Sequence, residues 1–115
     1  MDTKRRVVVT GMGVVSPVGN DLASFWDAVK NGRSGIGPVT RFDASRLEAR
    51  IAGEVKDLDV SLWMDKKEAR KMALFTQYAV SAAAQAWAQA GMAGASTPRD
   101  RLAIVVGTGI GGEGI

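Results

Sequence analysis

Two short runs of aliphatic and β-branched residues, each closed by a glycine, constrain the fold of this chain more than any other feature. Val7-Val8-Val9-Thr10 precedes Gly11, and Leu102-Ala103-Ile104-Val105-Val106 precedes Gly107. Neither alternates apolar with polar residues, so neither suits a strand with one wet face; the pattern is that of strands covered on both sides, as in a parallel sheet. Between them lie two stretches of helical periodicity. The order strand, helix, helix, strand is that of parallel strands joined by a crossover, and it makes the fold class α/β.

Asn20 is a suitable cap for a first helix that places Leu22, Phe25, Trp26 and Val29 at i, i+3, i+4 and i+7 and stops at Gly32. A second helix is expected from about Asp65 to Ala90, ended by Gly91, with Met72, Phe75, Ala79, Ala83, Ala86 and Ala90 on one side. Its middle, from Tyr78 to Ala88, is small or apolar nearly all round, which predicts burial and a close approach of neighbouring backbones. From Gly32 to Leu62 the sequence predicts irregular surface structure with one short strand candidate, Arg50–Val55. No repeat, low-complexity tract or linker divides the 115 residues into domains. Past Gly107 the glycine-rich run reaches Ile115 where a parallel α/β pattern calls for another helix and more strands. Residues 1–115 are therefore expected to form the N-terminal portion of a larger fold, with no complete second domain and with large apolar surfaces exposed on their own.

Composition narrows the chemistry. With 46% hydrophobic and 23% charged residues the chain is ordinary globular material. It contains no histidine and no cysteine, which removes imidazole bases, thiol nucleophiles, disulfides and zinc sites built on those ligands. Lys and Arg total 15 against 12 for Asp and Glu, a net +3 that favours an acidic partner without demanding nucleic acid. No apolar run approaches the roughly 18 residues of a membrane span, and Met1 to Arg6 lead into Val7 rather than into a signal-peptide core. The expectation is a cytoplasmic protein with no membrane or nucleic-acid partner, no metal and no cofactor.

Gly107-x-Gly109-x-x-Gly112 after a strand matches the dinucleotide fingerprint in letters, but that motif also needs a following helix and an acidic residue about twenty positions on. Gly11-x-Gly13 has Ser16 where a third glycine belongs and Pro17 next, which suits a turn better than a phosphate loop. Lys66, Lys67, Arg70 and Lys71 crowd the expected start of the second helix, where the helix dipole disfavours each by ~0.3–1 kcal/mol at low salt. Asp65 and Glu68 offset part of that cost. The cluster is either a solvated charged turn or a dock for an acidic partner, and the spacing of Lys67, Arg70 and Lys71 at i, i+3 and i+4 puts these three on one face. Trp26, Trp63 and Trp87 lie within or beside amphipathic segments and are expected in the core. No pair of carboxylates has a spacing that predicts acid–base chemistry, so no residue is assigned a catalytic role.

Taken together, Arg5 to Asn20, reading RRVVVTGMGVVSPVGN, resemble the N-terminus of the β-ketoacyl-acyl carrier protein synthases, most closely the type II members. The likeness continues through Ser34-Gly35-Ile36, Arg41 to Ser45, Ala52 to Val55, Asp65 to Met72 and Gly107 to Gly112. The resemblance implies a homodimer of the layered thiolase-like αβαβα fold, of which this chain is the first quarter or so. It implies an acyltransferase of fatty-acid elongation, acting on malonyl and acyl thioesters of acyl carrier protein, whose cysteine and two histidines belong to later parts of the family pattern. The 115 residues alone are accordingly expected to be inactive. By the same resemblance, Lys67, Arg70 and Lys71 match the basic positions that receive the acidic carrier protein, and Ile110 matches the residue lining the acyl pocket. Two alternatives stand beside this: a noncatalytic partner such as a chain-length factor of polyketide synthesis, and a dinucleotide-binding domain using the Gly107 loop.

Overall fold

In the computed structural model of the chain, which describes residues 3–112, the first helix, α1, spans Leu22–Lys30 and is capped by Asp21 rather than by Asn20. Asp21 Oδ1 accepts a hydrogen bond from the Ser24 amide at 2.8 Å, satisfying one of the orphan donors of the first turn. That bond leads the causes holding the Asp21 carboxyl below its ordinary value. Asn20 is used elsewhere: its Nδ2 donates to the Lys56 carbonyl at 2.6 Å. The helix ends as expected at Gly32, whose φ of +64° is the left-handed conformation that favours glycine.

Lys56 gathers the turns around α1. Its ammonium donates to the carbonyls of Glu54 at 3.0 Å, Gly35 at 3.2 Å and Pro17 at 3.4 Å. β1 (Ile36–Pro38) and β2 (Ile51–Gly53) pair antiparallel, with Ile36 opposite Gly53 and Pro38 opposite Ile51. The strand expected within Arg50–Val55 is thus present, and its partner lies in the segment expected to be irregular. Glu54, just after β2, accepts from the Thr40 hydroxyl at 2.9 Å and from the amides of Thr40 and Arg41. The Thr40 hydroxyl, followed by those amides, holds the Glu54 carboxyl below its ordinary value.

The expected second helix is two helices. α2 covers Lys66–Ala69, capped by Asp65, whose Oδ1 accepts from the Lys67 amide at 2.7 Å; α3 covers Leu74–Gln89 and is followed by Gly91 at φ +68°. No glycine or proline marks the break. It is held by Gln77 in α3, whose Nε2 donates back to the carbonyls of Ala69 at 3.0 Å and Met72 at 3.1 Å, tying the end of α2 and the connection after it to the start of α3.

The buried stripe of α3 differs from the expected one. Ser81 and Gln85 are its buried residues, while Ala79 and Ala83 are exposed. The reason is the neighbour: this face of α3 meets the polar backbone of residues 11–14. Gln85 takes the Val14 amide on Oε1 at 3.3 Å and donates Nε2 to the carbonyls of Val14 at 3.2 Å and Asn20 at 2.8 Å. Gln89 Oε1 accepts from the Met12 amide at 2.7 Å. Gln85→Ala leaves three backbone groups short of a partner at once and is expected to destabilise a synthase carrying this segment by about 2 kcal/mol or more. Chemical denaturation checks this; an unchanged midpoint would show that water replaces the amide without loss.

Arg41 joins the loop between β1 and β2 to the same helix. Its Nη2 donates to the Tyr78 hydroxyl at 2.8 Å and to the Val55 carbonyl at 3.1 Å.

Neither expected parallel strand is hydrogen-bonded into a sheet among the described residues. Val7 is 93% exposed and Ile104 92%. A parallel strand is defined by ladder bonds to a neighbour, and these two runs do not pair with each other. Trp26 and Trp87 are likewise exposed, at 58% and 48%, while Trp63 is half-buried, so the expected core role fits only the last. The radius of gyration, 17.6 Å, exceeds the roughly 13 Å of a compact domain of about 100 residues. Among the described residues no helix is long and apolar enough to cross a membrane. The glycine-rich run beyond Gly112, through Glu113 and Gly114 to Ile115, lies outside the described residues, as do Met1 and Asp2.

Candidate functional site

The two groups of candidate residues flank the start of α3. On one side is the basic turn. Lys67 lies in α2, Arg70 is its C-cap, and Lys71 follows, its amide bonded to the Glu68 carbonyl at 3.0 Å; all three side chains are exposed. Because α2 ends at Ala69, Arg70 and Lys71 follow a helix C-terminus, where positive charge is favoured, and are not inside the first turn of a long helix. Lys66 and Lys67 lie in a helix of a single turn, where first and last turn coincide, so the cost expected from the sequence does not carry over to them either. Lys71 Nζ pairs with Glu68 Oε1 at 3.2 Å, whereas Lys66 and Arg70 line a shallow polar cleft with Asp59, Val60 and Gln77. What this turn offers chemically is a water-facing cationic surface on a backbone fixed by Asp65 at one end and Gln77 at the other.

On the other side is the glycine loop. Ile110 is 79% exposed, and Gly111 turns the chain with φ +72°. Gly112 then lies against the first turn of α3, where an added Cβ would come within 2.6 Å of Phe75 Cε1 and 3.5 Å of Ala73 Cβ. The turn is packed on a ring, and residues 109–112 form bends and a turn.

The Gly11 loop is settled differently. A Cβ on Gly13 would overlap the Ala82 carbonyl oxygen and come within 2.7 Å of Gln85 Cβ; one on Gly11 would overlap the Ala86 carbonyl oxygen and reach 2.9 Å from the Ala90 nitrogen. Two residues of extended chain match one turn of helix in length, so alternate glycines seat the strip on every fourth residue of α3. The Met12 and Val14 amides are already donated to glutamines, which leaves them unavailable to a phosphate. These glycines serve packing.

Sequence inspection passed over Gln77, Gln85, Gln89, Arg41 and Lys56. A signal for the glutamines was present: Gln77, Ser81, Gln85 and Gln89 recur every four residues through an alanine-rich helix, marking one polar stripe. For Arg41 and Lys56 there was none, since most of their partners, the Tyr78 hydroxyl, the Glu54 carboxylate and the Val55, Pro17 and Gly35 carbonyls, are distant in sequence.

Residues 4–114 match the family model described as "Beta-ketoacyl synthase, N-terminal domain". Among curated proteins, the 3-oxoacyl-[acyl-carrier-protein] synthase 2 of Coxiella burnetii is 48% identical over 95% of this chain and 26% of its own length. Its namesake in Vibrio harveyi is 48% identical over 96% of this chain and 26% of its own length. Among solved structures, the ishigamide ketosynthase/chain length factor superposes with a TM-score of 0.70 at 38% identity, covering 77% of this chain and 22% of that one. The chain thus spans about a quarter of the length of the curated relatives it matches. The α/β thiolase-like assignment follows from this match, and the unpaired Val7 and Ile104 runs are the parts of it that the described residues leave without neighbours. With a family model covering nearly every residue, the chain belongs to the β-ketoacyl synthase family, as part of its N-terminal domain.

Proposed function

We propose that these residues form the N-terminal portion of a 3-oxoacyl-[acyl carrier protein] synthase, an acyltransferase that lengthens acyl chains by decarboxylative condensation. The observation that carries the reading is the 48% identity to synthases of that name across 95% of the chain. In such a reaction a cysteine thiolate attacks the acyl thioester and releases the carrier thiol. Malonyl-carrier protein then loses carbon dioxide, and the resulting carbanion attacks the acyl-enzyme carbonyl, expelling the thiolate. This chain has no cysteine or histidine and supplies none of those groups. Its contribution is to receive the carrier through Lys67, Arg70 and Lys71, whose exposure and positive charge suit an acidic protein surface, and to limit the acyl chain through Ile110. The partners in this reading are acyl carrier protein with its malonyl and acyl thioesters, and a second copy of the synthase.

A synthase carrying this segment, supplied with acyl- and malonyl-carrier protein, is expected to release carbon dioxide and form a 3-oxoacyl product two carbons longer. No turnover alone, but turnover with a separate ketosynthase, would favour a chain-length factor instead, the other role named for the structural neighbour. Ile110→Phe in that synthase is expected to lower kcat/KM for long acyl primers about tenfold relative to short ones, since added volume in an apolar pocket discriminates by a few methylenes. An unaltered product distribution would remove Ile110 from the site.

A further inference from the structure

Of the glycines in the loop that carries Ile110, Gly112 is the one seated against another element among the described residues, and that element is the start of α3. A Cβ added to Gly107 or Gly109 would meet nothing within 4 Å, whereas one on Gly112 would reach Phe75 Cε1 at 2.6 Å, Phe75 Cδ1 at 3.0 Å and Ala73 Cβ at 3.5 Å. Between that seat and Ile110 stands only Gly111, fixed by its φ of +72°. The far side of the seat is fixed as well. Gln77, in the same turn of α3 as Phe75, is bonded to the carbonyls of Ala69 and Met72, so the ring rests on a helix start that cannot slide freely. Phe75 itself is 45% exposed.

We propose that Phe75 is a positioning residue for acyl-chain selection: its ring edge, closed against Gly112, sets how far the Ile110 loop stands off α3. The inference rests on the reading of Ile110 as an acyl-pocket residue. It has a signature that loss of general stability would not produce, because two substitutions at one contact push the loop opposite ways. Phe75→Ala removes the seat and lets the loop approach the helix. Gly112→Ala adds a methyl where the ring already stands and drives the loop off.

The experiment measures kcat/KM for one long and one short acyl-carrier primer in a full-length synthase containing this segment, and takes their ratio. F75A and G112A are expected to move that ratio at least threefold in opposite directions, and the F75A/G112A double variant to return it to within twofold of the parent. F75L, which shortens the seat with less loss of packing, moves it in the F75A direction and serves if F75A does not fold. Equal losses for both primers, shifts of the same sign, or a double variant that fails to recover would overturn the proposal. I110F in the same assay separates the two levels. If I110F shifts the ratio and the Phe75 and Gly112 variants do not, Phe75 is no positioning residue. If I110F leaves the ratio unmoved, the pocket assignment of Ile110 falls, and the proposal falls with it.

Discussion

Gly13→Ala is expected to cost a synthase containing this segment about 3 kcal/mol or more, enough to leave little folded protein, while Gly37→Ala stays within about 0.5 kcal/mol. The two substitutions are chemically identical. At Gly37 an added methyl meets nothing within 4 Å; at Gly13 it overlaps the Ala82 carbonyl oxygen and presses on Gln85 Cβ at 2.7 Å. Relief at Gly13 cannot come from a rotamer, because the obstacle is main chain in the middle of a sixteen-residue helix. The strip would have to lift, and lifting breaks the Gln85 bonds to Val14 and Asn20 together with the Gln89 bond to Met12. Unfolding midpoints of the two variants, with soluble yield as a second readout, check the difference. Equal midpoints would mean that residues 11–14 do not rest on α3.

That contact also shows why part of the fold was legible in the sequence and part was not. The ends of elements are set by local chemistry: Gly32 and Gly91 stop helices through left-handed conformations, and Asp65 opens one through its side chain. Such signals sit within a few residues of the feature they control. Asn20 and Asp21 are both good caps, and the choice between them depends on Lys56, whose carbonyl claims the Asn20 amide. The break after Ala69 is of the same kind: nothing local interrupts the helical pattern, and the capping group, Gln77, belongs to the next helix. The stripe on α3 was misplaced because its many alanines leave hydrophobic periodicity nearly flat, so the informative residues were the polar ones that serve another segment's backbone. Strand pairing at Val7 and Ile104 depends on neighbours, which residue type alone does not supply. For the candidate site, charge and exposure at Lys67, Arg70 and Lys71 were legible because lysine and arginine at a turn have few other options. The seat of Gly112 on Phe75 was not, since apolar contacts between distant segments leave no mark on spacing.

Reversing two charges in the basic turn, Lys67→Glu with Arg70→Glu, is expected to raise the KM for acyl carrier protein by at least about tenfold, with the loss falling on KM more than on kcat. Each exposed pair contributes no more than about 1 kcal/mol, but reversal replaces attraction by repulsion at two places on one surface, and about 1.4 kcal/mol is a factor of ten. The fold should tolerate the change. Both side chains are exposed, among the described residues no hydrogen bond joins either one to the backbone ties around them, and the ties themselves run through Asp65 Oδ1 and Gln77 Nε2. Lys71→Glu alone is expected to act less, because Lys71 already shares its charge with Glu68 at 3.2 Å. Salt discriminates the cause: rising ionic strength should weaken carrier use by the parent enzyme and narrow its advantage over the double variant, since exposed charges are screened over about 8–10 Å near physiological salt. A KM for carrier protein that stays put in the folded double variant, at low and high salt alike, would move the dock elsewhere on the synthase and leave this turn as solvated charge.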